Sequence, residues 1–100
     1  MFDFGLVEGF EWDAGNARKS VDKHGVSQAE AEQVFFNVPL LMADDVRHGD
    51  VEARFHALGK TDADRRLHIT FTLRVGGRMI RVISARDMSR KERSVYDQEV

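Results

Sequence analysis

The fold is decided by residues 67–85, which read LHITFTLRVGGRMIRVISA. In the first half, apolar and polar side chains alternate, which is typical of a strand with one buried face. The paired glycines Gly76 and Gly77 supply the positive φ angles that a tight turn requires. From Met79 to Ala85 the chain is apolar on both faces, as expected near the middle of a sheet. The segment therefore predicts a β-hairpin.

The segment before residue 26 predicts a short strand followed by a helix. Residues 10–12 alternate like a strand, and Asp13 is a good N-cap because its carboxylate can accept the free amide hydrogens of a first helical turn. A helix from about Ala14 to Lys23 follows and ends at Gly25, which can enter the left-handed conformation. Its buried stripe is predicted to consist of Ala14, Ala17 and Val21.

Two capping boxes mark further helices. Ser27 with Glu30 predicts the start of a second helix, and Ser89 with Glu92 predicts a final helix that runs through Tyr96. Between them the sequence predicts a strand that begins at 40–42 and another at about 52–58, separated by a polar loop at 44–50.

The predicted order is β-α-α-β-β-β-β-α. It indicates a single α+β domain over residues 10–100, in which an antiparallel sheet packs with two N-terminal helices and one C-terminal helix. Residues 1–9 are predicted to be an N-terminal extension.

Composition limits the classes of protein that remain. The chain has 100 residues, 42% of them hydrophobic, so it can bury one modest core. It contains no cysteine, which excludes disulfides and thiolate metal sites and suits a reducing cytoplasm. No basic leader or apolar run long enough for a bilayer is present, so we expect a cytoplasmic protein with no membrane association.

The charge is divided unevenly along the chain. Residues 1–52 carry 11 acidic and four basic side chains, net −7, whereas residues 53–100 carry six acidic and 11 basic ones, net +5. Such asymmetry is compatible with a polyanion on one side and a basic partner on the other, or with two ordinary solvated faces.

Lys23 and His24 end the first predicted helix, where cations are favoured by the helix dipole. They are either an ordinary cationic helix end or a phosphate contact beside a proton donor or acceptor, because histidine titrates near neutrality. The other histidines, His48, His56 and His68, are interpreted as solvated or cross-strand residues. Their spacing gives no metal site.

Basic residues cluster near the C-terminus. Within 20 residues the only acids are Asp87 and Glu92, and the bases are Arg74, Arg78, Arg81, Arg86, Arg90, Lys91 and Arg93. Guanidinium groups match the oxygens of phosphate, although the cluster could equally be a solvated basic face. Strand alternation predicts that Arg78 and Arg86 share one face and that Arg81 points to the other. No P-loop or hydrolase motif accompanies them.

Three groups of residues together resemble a known family. The first is Phe10-Glu11-Trp12-Asp13 with Asn16-Ala17 and Lys23-His24-Gly25-Val26-Ser27, followed by Glu30-Ala31. The second is Glu52-Ala53-Arg54-Phe55 with Leu58-Gly59. The third is Arg81-Val82-Ile83-Ser84-Ala85-Arg86, then Arg90-Lys91-Glu92-Arg93 and Tyr96. In this order, over about residues 10–97, they resemble the BrnT toxins of type II toxin-antitoxin systems.

The resemblance implies a RelE-like fold and a ribonuclease that arrests translation without a metal or other cofactor. It also implies a BrnA-like DNA-binding antitoxin that neutralises the toxin in a hetero-oligomer, so that operator DNA is met only through the antitoxin.

In such a mechanism an RNA 2′-hydroxyl attacks its own phosphate, and the protein supplies charge and proton transfer. We assign phosphate stabilisation to Arg81 and Arg86, with Arg54 as a third cation, and acid or base catalysis to His24 beside Lys23. RNA backbone contacts are assigned to Arg74, Arg78, Arg90 and Lys91. Alternatively, Arg54 or Arg81 pairs with Glu52 or Glu11 as a structural bridge. The competing functions are a non-catalytic protein- or nucleic-acid-binding module and a small RNA-binding protein that does not cleave.

Overall fold

The computed structural model describes residues 4–44 and 53–99, with Asp44 described for its backbone alone. A 3₁₀ helix spans Phe4–Leu6. The strands are β1 (Gly9–Phe10), β2 (Leu41–Asp44), β3 (Arg54–Lys60), β4 (Arg66–Arg74) and β5 (Met79–Asp87), and the helices are α1 (Lys19–His24), α2 (Gln28–Val34) and α3 (Arg90–Asp97). The predicted α+β class and the predicted order of strands and helices are confirmed.

The sheet has the strand order β1-β5-β4-β3-β2. From β2 to β5 each strand is antiparallel to the next, but β1 pairs with β5 in parallel. The chain leaves β1 through both N-terminal helices, enters the sheet at the far edge, and returns strand by strand until β5 lies beside β1. The prediction of an antiparallel sheet is therefore wrong for the β1–β5 pair alone.

The two faces of the sheet differ in what covers them. On the inner face, α1 and α2 pack over the core, whose largest buried side chains include Phe71, Leu67 and Ile69. Helix α3 lies against the other surface, the outer face, at one end. There the buried Tyr96 donates a hydrogen bond to the carbonyl of Pro39 at 2.7 Å, and the guanidinium of Arg66 lies 5.7 Å from the ring centre.

The local signals at helix ends and turns are confirmed. Ser27 and Ser89 both form complete capping boxes with the glutamates three residues later. Gly25 ends α1 in the left-handed conformation, with φ of 65°. The turn between β4 and β5 uses positive φ angles at Val75, Gly76 and Gly77.

The start of α1 was predicted wrongly. Asp13 does accept hydrogen bonds from backbone amides, but they belong to Gly15 and Asn16 and form a turn that precedes the helix. Helix α1 begins only at Lys19.

The buried side chains of this segment also differ from the prediction, because Asn16 and Ser20 are buried while Ala14 and Val21 are exposed. The Asn16 amide donates to the carbonyl of Val82, and the Ser20 hydroxyl accepts from the amide of Ala85. Polar side chains are needed here because β1 pairs with β5 only as far as Ile80. Beyond that point the backbone amide and carbonyl groups on this edge of β5 need other hydrogen-bond partners.

Several boundaries shift. The first strand is Gly9–Phe10 instead of 10–12. The strand predicted to begin at 40–42 is Leu41–Asp44, and the one predicted at about 52–58 is Arg54–Lys60. Most of the predicted 44–50 loop lies outside the described residues.

The N-terminal segment makes contacts with the core. The ring of Phe4 stacks on that of Phe35 at 6.4 Å, and Val7 packs against the core cluster. The boundary between an extension and a domain at residue 10 stays a prediction.

The helices of the described residues are short compared with the thickness of a bilayer. The longest helix in the described ranges has eight residues, and no helix there is long and apolar enough to span a membrane.

Candidate active site

The outer face carries polar side chains from the three central strands. The register places Arg54 of β3 opposite Thr72 of β4, and Thr72 opposite Arg81 of β5. Residues that pair directly point to the same face, so Arg54 and Arg81 flank Thr72 with their Cα atoms roughly 10 Å apart. Further along β5, Arg86 pairs with His68 on the same face.

A β-bulge brings Arg81 and Arg86 onto one face. Thr70 pairs with Ser84 and the next residue, Phe71, pairs with Val82, so Ile83 is an extra residue on β5. The extra residue resets the alternation of side chains. The prediction that Arg81 and Arg86 point to opposite faces was therefore wrong, since simple alternation assumes an unbroken ladder.

Arg81 is held by two carboxylates. Its guanidinium donates to Glu11 at 3.1 Å and to both oxygens of Asp13 at 2.9 and 3.1 Å. These hydrogen bonds raise the pKa of Arg81, and the Arg81 guanidinium lowers the pKa of Asp13. The predicted structural bridge between Arg81 and Glu11 is thus present. The bridge suggested for Arg54 falls on Glu52, which lies outside the described residues.

Arg86 is held in a similar way. It donates two parallel hydrogen bonds to Glu92 in α3, at 2.9 and 3.0 Å. The paired guanidinium lowers the pKa of Glu92 to about 2, with a further contribution from the Ser89 amide, and Glu92 in turn raises the pKa of Arg86. The pair fixes the guanidinium beside the sheet at the start of α3.

Two histidines lie close together on the outer face, and sequence reasoning did not select them. Nδ1 of His56 lies 3.1 Å from Nε2 of His68 and 3.1 Å from the hydroxyl of Thr70. The rings stack with centroids 5.1 Å apart and planes at 9°. Burial and the nearby charge of Arg86 lower the pKa of His68. They are cross-strand neighbours, as the sequence indicated, but only the register between β3 and β4 shows that they meet.

The histidines line a cavity of about 310 Å³ between β2, β3 and α3. Its wall is mostly apolar and consists of Leu41, Met42, Ala43, His56, Leu58, His68, Glu92 and Val95. Glu92 therefore contributes both to this cavity and to the ion pair with Arg86.

Lys23 and His24 end α1, which together with α2 forms the helical layer on the inner face of the sheet. The carbonyl of His24 accepts a hydrogen bond from Arg65 at 3.3 Å. Arg65 also pairs with Glu30 and Asp87, and Asp87 lies on the inner face of β5 because it pairs with the core residue Leu67. The described contacts thus place Lys23 and His24 beside the inner face, apart from the three outer-face arginines.

The four residues predicted to contact the RNA backbone lie at the two ends of β5. Arg74 and Arg78 flank the hairpin turn, while Arg90 and Lys91 begin α3. All four are exposed. Nine residues of strand, roughly 30 Å, separate the two groups.

Across the described residues, no three or more His, Asp or Glu side chains are arranged to hold a metal ion.

A small α+β domain with arginines and histidines gathered on one sheet face defines a class of protein suited to binding a polyanion. A sequence profile described as the ribonuclease toxin BrnT of type II toxin-antitoxin systems matches residues 12–92. The chain belongs to this family of ribonuclease toxins. Membership implies an antitoxin partner.

The fold agrees with a solved structure of a member. The crystal structure of the Brucella abortus ribonuclease toxin BrnT, at 1.1 Å resolution, is 22% identical and superimposes with a TM-score of 0.55. The match covers 84% of this chain and 100% of the Brucella chain. No curated protein matches the sequence.

Proposed function

We propose that the protein is an endoribonuclease that cleaves RNA without a metal ion and so arrests translation and growth. The observation that carries the proposal is the placement of Arg54, Arg81 and Arg86 on one face of the sheet in a chain of the BrnT family. In the reaction, the 2′-hydroxyl attacks the adjacent phosphorus and the bond to the 5′-oxygen breaks. The products are a 2′,3′-cyclic phosphate and a free 5′-hydroxyl.

The arginines stabilise the negative charge that develops on phosphorus. A guanidinium has five donors, and the carboxylates of Glu11, Asp13 and Glu92 hold Arg81 and Arg86 in fixed positions before substrate arrives. Preorganised donors of this kind need no rearrangement during the reaction. Removal of one should cost on the order of 3 kcal/mol, about a hundredfold in rate.

Exposed cations guide the RNA backbone to this face. We assign this role to Arg74 and Arg78 at one end of the sheet and to Arg90 and Lys91 at the other. Each contact is electrostatic, so its loss should weaken RNA binding modestly and reduce the dependence of binding on salt.

Lys23 and His24 are the candidate proton-transfer residues from the sequence, an alternative to groups on the outer face. Because they lie in the helical layer, they would serve an RNA that wraps around the sheet edge. Their substitution tests that route separately from the outer face.

The cognate antitoxin is proposed to be a BrnA-like DNA-binding protein that forms a hetero-oligomer with the toxin in the cytoplasm. Operator DNA is then bound through the antitoxin alone. The N-terminal half carries net −7 over residues 1–52, and the part of this charge that Arg65 and Arg81 do not neutralise would attract a basic partner.

One observation favours a second candidate, a non-catalytic binding module. Carboxylates already accept hydrogen bonds from the guanidinium groups of Arg81 and Arg86. Pairs of this kind also serve as purely structural bridges across a surface.

The test compares growth and RNA integrity after induced expression of wild type, Arg86→Ala and the matched control Arg18→Ala. Arg18 is exposed at the start of α1, so Arg18→Ala removes the same charge on the other side of the sheet. Circular dichroism confirms folding of each protein.

Arrest and RNA loss in wild type and the control, but not in Arg86→Ala, supports the proposal. Unimpaired growth and intact RNA with all three proteins favours the binding module. Cleavage by purified protein in EDTA tests independence from metal, and loss of cleavage there refutes it.

A further inference from the structure

His56 and His68 form a pair that can hold one shared proton. Their facing nitrogens, Nδ1 and Nε2, are 3.1 Å apart, which is a hydrogen-bonding distance between two ring nitrogens. One nitrogen must therefore donate while the other accepts. If both rings were fully protonated, two N–H groups and two positive charges would face each other. The facing nitrogens therefore hold one proton between them, and the outward nitrogens, Nε2 of His56 and Nδ1 of His68, remain to exchange protons with a ligand.

The surroundings keep this pair in a defined place. Thr70 of β4 contacts His56, and His68 is placed by its register opposite Arg86 of β5. The charged groups that face His68 are Arg86 of β5 and Glu92 of α3. Both rings are only partly buried and line the 310 Å³ cavity, so a ligand in that cavity meets their edges.

The outer face therefore combines a fixed arginine with a pair of histidines, the side chain that most often acts as a general acid or base. The helical layer, where His24 lies, holds none of the three arginines assigned to phosphate. Proton transfer at a phosphate bound on the outer face requires a group on that face.

We propose that His56 and His68 are the proton-transfer pair for RNA cleavage, acting beside the phosphate held by Arg86. This assignment rests on the proposed ribonuclease function. In the neutral pair one proton lies between the facing nitrogens, one outward nitrogen carries a proton and the other does not. The unprotonated outward nitrogen takes the proton of the 2′-hydroxyl as the new bond to phosphorus forms, and the protonated outward nitrogen gives its proton to the 5′-oxygen as the old bond breaks. The shared proton then moves from the first ring to the second, so both rings end neutral and no other reactant is consumed.

The decisive variants remove titration but keep the contact between the two positions. Asparagine places an amide nitrogen where Nδ1 of His56 lies, and glutamine does the same for Nε2 of His68. His56→Asn and His68→Gln therefore preserve a hydrogen bond while abolishing acid–base chemistry. If the two histidines are only structural, both variants should keep the cleavage rate of the wild type.

The experiment measures single-turnover cleavage of a pool of short single-stranded RNAs by wild type, His56→Asn, His68→Gln and His24→Gln. Thermal melting confirms that each variant is folded. We expect each outer-face variant to be slower by about 100-fold or more. The wild-type rate should decrease in acid, where protonation occupies the base nitrogen, and the variant that lacks the base should lose this decrease. A substrate with a 5′-bridging sulfur, whose leaving group needs no proton, should restore the rate of the variant that lacks the acid.

Each outcome has a distinct meaning. If wild type cleaves and both outer-face variants keep its rate and pH profile, the inference is wrong and the ribonuclease function stands. If only His24→Gln loses activity, proton transfer belongs to the helical layer. If wild type releases no cyclic phosphate from RNA, the proposed function fails and this assignment fails with it.

Discussion

The hydroxyl of Ser20 accepts a hydrogen bond of 2.8 Å from the backbone amide of Ala85, which joins α1 to the edge of β5. The contact is buried and lies where β1 is too short to pair with β5. Together with the bond from Asn16 to Val82, it replaces the strand partner that β5 lacks on this side.

Ser20→Ala is expected to destabilise the protein by about 1–3 kcal/mol, because it leaves a buried amide without an acceptor. Urea unfolding of the variant measures the loss. Ser94→Ala, an exposed serine in α3, is the matched control and should change stability by less than about 0.5 kcal/mol. Equal stabilities for the two variants would contradict the structural role of Ser20.

Glu92→Gln is expected to lower stability at neutral pH by about 1–2 kcal/mol. The amide keeps the capping interaction with Ser89 but loses the charge pair with Arg86. The loss is smaller than for a fully buried pair, because the side chains of Arg86 and Glu92 are 35% and 26% exposed and solvent screens their charges.

The effect should depend on pH. The pKa of Glu92 falls from 4.5 to about 2 on folding, so the stability it provides is complete above pH 4.5 and is lost as pH decreases toward 2. Urea unfolding at neutral and acid pH should show the gap between wild type and variant closing in acid. A gap that stays constant with pH would rule out the ion pair as its source.

Arg65→Met is expected to cost about 2–3 kcal/mol. The guanidinium joins Glu30 of α2, Asp87 of β5 and the carbonyls at the end of α1, and methionine satisfies none of them. Thermal unfolding provides the measurement. Arg18→Met removes an exposed arginine at the start of α1 and should leave the melting temperature nearly unchanged.

Gly59→Ala is expected to destabilise the protein by about 1–3 kcal/mol through overpacking. A Cβ at this position would lie 2.6 Å from Cγ1 of Val34. If that contact is the cause, Val34→Ala should cost less stability in the Gly59→Ala background than in wild type. Chemical unfolding of the four proteins in this double-mutant cycle decides the point, and strictly additive effects would exclude it.

The sequence predicted those features that depend on neighbouring residues. Both capping boxes, the glycine at the end of α1 and the β4–β5 turn were confirmed because each is determined within a few positions. The start of α1 was missed because Asp13 can cap an isolated turn as well as a helix.

The arrangement of the site depends on residues distant in the chain, and this is why it was only partly predictable. The contact between His56 and His68 depends on the register of β3 against β4. The shared face of Arg81 and Arg86 depends on a bulge that local alternation does not reveal. Arg65 was not selected at all, since no motif marks a residue whose partners lie on three separate elements.

The bulge at Ile83 also determines how β5 tolerates changes in length. Deletion of this unpaired residue would turn the strand into a regular ladder, with Arg81 and Arg86 still on the same side. Relatives with or without a residue here would therefore keep both arginines in place. A gap at position 83 in an alignment would therefore mean a shorter β5 whose outer-face side chains are the same.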